Sequence, residues 1–131
     1  MILTSLLLLT ASAHSAPLTV PAEIAALAEG VKSEKVRTKR IELLSGLITD
    51  VKKRIGALPN DVAEEELPKV QMLYELNILF STLKPETLNP ASCPGVLRTL
   101  EQMTSPTGTN GTEISPTGRL ALDVVKSVCA P

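Results

Sequence analysis

The sequence is poorest in ring-bearing side chains. Of 131 residues none is tryptophan, and Tyr74, Phe80 and His14 are the sole tyrosine, phenylalanine and histidine. So few rings leave no stacking platform, which weighs against sugar binding and against single-stranded nucleic-acid binding. The net charge of −1 also lacks the electrostatic footprint of a nucleic-acid-binding protein, and no nucleic-acid partner is expected. With His14 alone at the end of an N-terminal apolar run, neither a Ser-His triad nor a Cys-His pair can be assembled in the rest of the chain. Zinc and transition-metal sites lack their normal ligands for the same reason. Glu64-Glu65-Glu66 has no EF-hand loop around it and reads as a solvated helix start. No pocket-forming motif accompanies any pair of carboxylates. The expectation is a protein without catalysis, cofactor or metal.

Long hydrophobic runs are also scarce. Residues 2 to 13, Ile-Leu-Thr-Ser-Leu-Leu-Leu-Leu-Thr-Ala-Ser-Ala, make one apolar run, far short of the roughly 20 residues that span a bilayer. They read as the core of a secretory signal peptide over 1–15, although no Lys or Arg precedes them. Ala13 and Ser15 suit cleavage before Ala16, and Ala11 and Ala13 offer a second site before His14. The alternative, an N-terminal core helix, is disfavoured by Pro17 and Pro21. The expected product is extracellular, a single domain over 16–131 of about 116 residues.

Only two cysteines are present, Cys93 and Cys129. In an oxidising compartment one disulfide is the default, with an intermolecular bridge as the alternative. An internal bridge closes a loop of about 36 residues, worth about 3 to 4 kcal/mol on the chain-entropy estimate. Asn110-Gly111-Thr112 is an N-glycosylation sequon, so Asn110 is a glycan acceptor in an exported chain.

What the chain has in quantity is Leu, Val, Ile and Ala, a composition that favours helices. Pro21 to Glu29 reads as a short helix stopped by Gly30. Ser33 is the expected cap of a long helix running to about Ala57, in which Ile41, Leu44, Ile48, Val51, Ile55 and Leu58 recur at spacings of three and four. Asp50 and Arg54 lie one turn apart and can pair. A short helical piece over 61–66 precedes a main helix from Pro68 to Leu83, whose apolar residues leave only a narrow polar stripe. Such a helix belongs in the middle of a bundle, or else offers apolar surface to a lipid or partner. Ser92 and Ser115, each with a proline in the turn that follows, open two further helices. Val96, Leu97, Leu100 and Met103 line the first, and Leu120, Ala121, Val124, Val125 and Val128 the second. No segment shows the alternation of a strand. The expected fold is all-α, a small up-down helical bundle of four main helices with one disulfide.

Charge is unevenly placed. Val31 to Arg54 carries eight basic and three acidic residues, a net of +5, and Ile55 to Pro90 carries six acidic and two basic, a net of −4. Neighbouring helices with opposite solvated faces explain this; the sharper reading is a basic surface for a receptor, a glycosaminoglycan or anionic lipid. Within the basic stretch, Arg37-Thr38-Lys39-Arg40 resembles the recognition pattern of furin-like proprotein convertases, with cleavage after Arg40. The competing and preferred reading is the charged first half of a long helix.

An Ala16-Pro17 start, four apolar-periodic segments, a helix opening at Ser92-Cys93-Pro94 and a last helix ending in Cys129 resemble, as architecture, the short-chain helical cytokines of the interleukin-4 and interleukin-13 group. That resemblance implies a secreted signalling protein that binds a cell-surface receptor through exposed polar faces, with Lys35, Lys39, Lys52 and Lys53 as receptor-contact residues. Those cytokines fold up-up-down-down, whereas the turn at Pro59 and a Cys93–Cys129 bridge suit antiparallel steps. The runner-up is a secreted carrier of lipid or another hydrophobic ligand, or a membrane-active helical protein.

Overall fold

The computed structural model describes residues 20–104 and 114–131. Over these residues the chain is helical, and no strand occurs among them. Helix α1 spans Ala22–Ser33, α2 Arg37–Gly56, α3 Leu67–Phe80, α4 Cys93–Thr104 and α5 Pro116–Cys129, with 3-10 turns at Glu64–Glu66 and Pro85–Thr87. Among the described residues there are five α-helices, the short first helix standing beside the four expected main ones. The first helix is a full member of the core, because Ile24, Ala28 and Val31 are buried. Gly30 does not stop it. Burial of Val31 carries the helix one turn further and outweighs the roughly 1 kcal/mol that a helical glycine costs.

The long helix starts later than its sequence pattern suggests. Ser33 ends α1 instead of capping α2, and its hydroxyl donates to the Gly30 carbonyl at 3.4 Å. The cap position of α2 is Val36, which gives no side-chain hydrogen bond; the carboxylate of Glu34 instead accepts from the Val36 N–H at 3.1 Å. From there the three-and-four spacing does bury Leu44, Ile48 and Val51, with Leu47 beside them and Ile41 and Ile55 packed on the margin. Ser115 caps α5 as its sequence indicates, accepting from the Gly118 N–H at 3.1 Å.

Contacts between helix ends give the relative directions of neighbours. Glu23 at the start of α1 faces Arg54 near the end of α2 at 3.9 Å, so this pair is antiparallel. Arg37, at the start of α2, donates to the carbonyl of Leu88, beyond the end of α3, at 2.9 Å. Cys93 and Cys129 are bonded to each other with Cα atoms 5.9 Å apart, which sets the start of α4 against the end of α5. At the other end of that pair, Thr104 packs against the backbone of Gly118.

Helix α5 packs on all four other helices, and Thr117, Gly118, Ala121, Leu122, Val124, Val125 and Val128 are buried on it. The centre of the molecule is therefore α5 and not the 68–83 helix. Small and β-branched side chains give α5 a slim profile that several helices can approach at once. The long side chains of α3 fill one face and leave Leu67, Tyr74 and Ile78 outside.

Gly118 tests this packing. A Cβ at that position would lie 2.9 Å from Cγ2 of both Ile114 and Thr104, closer than such atoms pack. Gly118→Ala, which in an exposed helix would stabilise by up to about 1 kcal/mol, is expected here to destabilise by about 1–3 kcal/mol. Urea unfolding of the oxidised protein checks the sign.

Candidate functional site

The described residues hold no group of three His, Cys, Asp or Glu able to bind a metal ion, and both cysteines are consumed by the bridge. The expected signal peptide over 1–15, with His14, and the sequon at Asn110 lie outside the described residues.

Lys35, Lys39, Lys52 and Lys53 are all exposed, but they do not form one cluster. Lys35 lies in the link before α2, Lys39 in its first turn, and Lys52 and Lys53 near its other end. Thirteen residues of helix separate Lys39 from Lys52, about 20 Å along the axis. Lys39 and Lys53 share a face by helical phase, and Lys52 turns away from it. Nor do the basic and acidic stretches neutralise each other. Among the described residues the ion pairs join residues three or four apart, Lys32 with Glu29, Lys69 with Glu66 and Arg54 with Asp50 at 2.5 Å, save for Arg54 with Glu23, which links α2 to α1. The hydrogen bond that Arg54 donates to the Asp50 carboxylate raises the Arg54 pKa above its ordinary value, partial burial opposes this, and the charges of Asp50 and Glu23 add to the rise.

Arg40 behaves unlike its neighbours. It is 6% exposed. Its Nη1 donates to the carbonyls of Glu34 at 3.1 Å and Lys35 at 2.9 Å, and its Nη2 to the carbonyl of Ala130 at 2.9 Å. Among the described residues no carboxylate pairs with it; the counter-charge is the carbonyl end of α5, where a helix dipole favours a cation. Periodicity gave no warning of this, because a basic run ordinarily reads as a solvated face.

Two apolar surfaces are also present, the first on the helix whose excess of apolar residues offered such a surface in the sequence. The first is the outer stripe of α3, where Leu67, Tyr74 and Ile78 are 44%, 48% and 60% exposed, extended by Met103 of α4 at 40%. Beneath it lies a small cleft of about 250 Å³ between α3, α4 and α5, in which the Thr117 hydroxyl donates to Glu75 at 2.6 Å. The second is an open groove of about 570 Å³, where the start of α1, the end of α2 and the start of α3 meet the turn over 57–63. Pro21, Leu58, Val62, Val70 and Leu73 form its apolar lining, and Glu23, Asp61, Glu66, Arg54 and Lys69 its rim. Prolines mark two of its edges: Pro21 stands at the start of α1 and Pro59 in the turn beyond the end of α2.

No helix among the described residues is long and apolar enough to cross a membrane. Taken together, the fold and surfaces define an all-helical protein with one disulfide. No family model, no curated protein and no solved structure matches the chain.

Proposed function

We propose that this chain is a secreted helical signalling protein of the cytokine or growth-factor kind, an up-down bundle that acts by binding a cell-surface receptor. The observation that carries the reading is the outward stripe of Leu67, Tyr74 and Ile78 with Met103, on a molecule whose other large apolar side chains mostly turn inward. Exposed apolar patches mark interaction sites, and aromatic and methionine side chains are enriched at interface centres. Charged neighbours such as Glu75 and Glu101 supply a polar rim. Lys35, Lys39, Lys52 and Lys53 stand clear of that stripe in sequence and act in this reading on encounter, by attracting an acidic receptor surface. The disulfide supports an oxidising compartment, and the apolar run over 2–13 supports export.

A Tyr74→Ser/Ile78→Asp variant should keep its helical content and melting behaviour, since both side chains are exposed, and lose at least about tenfold in saturable binding to responding cells. Charge reversal at Lys52 and Lys53 should slow association and leave dissociation nearly unchanged. Full binding by the folded α3 variant would remove the stripe from the reading.

The groove favours a second reading, carriage of a hydrophobic ligand, because its size falls within the range of small-molecule sites and its lining is apolar. Native mass spectrometry of the protein as secreted decides this. A bound lipid mass lost on Val70→Asp substitution supports carriage, and a ligand-free mass excludes it.

A further inference from the structure

We propose that the Arg40–Ile41 peptide bond is a latent processing site for a protease that recognises paired basic residues, closed by the C-terminal end of α5 and opened by loss of the Cys93–Cys129 bridge. The inference stands apart from the receptor reading and uses only the geometry around Arg37 and Arg40.

Such a protease takes its substrate as an extended segment, with the basic side chains presented to acidic subsites. Neither condition holds in the folded chain. Residues 37–40 form the first turn of α2. Arg40 is buried on the carbonyls of Glu34, Lys35 and Ala130, and Arg37 donates to the carbonyl of Leu88. The two distant carbonyls each lie close in sequence to a bridged cysteine. Ala130 follows Cys129 directly, and Leu88 stands at the end of the 3-10 turn that leads to Cys93. The bridge thus fixes both of the anchors that hold the basic run shut.

Apart from the Glu34 carboxylate on the Val36 N–H and the nearby carbonyls of Glu34 and Lys35 on Arg40, the first turn of α2 has little to stabilise it. Val36 offers no side-chain cap, no acidic residue stands in the turn, and Arg37, Lys39 and Arg40 crowd the positive end of the helix dipole. The Nε atoms of Arg37 and Arg40 are also buried without an acceptor. A turn with these features opens locally once its remote anchors are released, at a free energy below that of global unfolding.

The chemistry is ordinary. A dithiol gives two electrons and two protons to the disulfide, yielding two cysteine thiols and an oxidised dithiol. The protease then adds water across the Arg40–Ile41 bond, leaving a carboxylate on Arg40 and an amine on Ile41. No covalent link then joins α1 to the remainder, and Ile24, Ala28 and Val31 are held in the core by packing alone. Cleavage therefore weakens the fold, and the site works as a check on chains whose bridge is missing.

The test uses the full chain in three forms: oxidised, reduced with dithiothreitol, and as the Cys93→Ala/Cys129→Ala variant. Each is exposed to furin, with intact mass and N-terminal sequencing as readout. A product beginning at Ile41 should appear at least about tenfold faster from the two unbridged forms than from the oxidised chain. Trypsin in parallel separates local opening from unfolding: Arg40 should be cut before Arg54, Arg98 and Arg119. Equal furin rates with and without the bridge overturn the proposal. So does simultaneous trypsin cleavage at all four arginines, which includes the case of a variant that does not fold.

Discussion

Burial of α5 is the constraint on which the other helices depend. A helix that touches four neighbours must be slim, and the run from Thr117 to Val128 meets that need with glycine, alanine and valine at most inward positions. At one end Gly118 lets Thr104 and Ile114 come against the backbone. At the other, Cys129 is tied to the start of α4 and the Ala130 carbonyl to Arg40 of α2. Packing along the middle and fixed contacts at both ends leave α5 one register relative to its neighbours. A chain with only two aromatic residues gains in this way, from many small contacts, what a few large side chains would otherwise supply.

Arg40 shows the cost of that arrangement. Taking a guanidinium out of water is expensive, and a carboxylate partner is the usual compensation. Here the compensation is three carbonyl oxygens, one of them at the negative end of a helix dipole. The interaction joins three stretches of chain, the α1–α2 link, the first turn of α2 and the C-terminal end of α5. Its geometry also explains why α2 begins at Arg37 and not beside Ser33: the carbonyls of Glu34 and Lys35 must turn towards Arg40, which a continuous helix would forbid.

Much of the fold was legible because local signals agreed with global ones. The apolar spacing in α2, the Ser115 cap and the paired cysteines each rest on short-range chemistry, and each appears in the structure. The central helix was not legible. Counting apolar residues around the 68–83 segment measures how much of a helix can be buried, not how many neighbours will cover it, and α3 received fewer neighbours than its composition invited. Tyr74 and Ile78 were left outside for that reason, and they became the strongest surface feature of the molecule. Arg40 was illegible for the converse reason: its fate is decided by Ala130, ninety residues away, which no local pattern records. The four lysines were correctly placed in solvent, but helical phase and length separate them, and a count of charge along the sequence does not see either.

The proposed receptor surface and the α5 core are two sides of one choice. Because the slim helix took the centre, the bulky one lies at the edge with apolar side chains in water. Native-state hydrogen exchange on the oxidised protein tests the central claim most directly. The amides of Ala121 to Val128 should be the slowest in the molecule, exchanging only through global unfolding, while those on the outer side of α3 exchange through smaller openings. Faster exchange in α5 than in α3 would contradict the account.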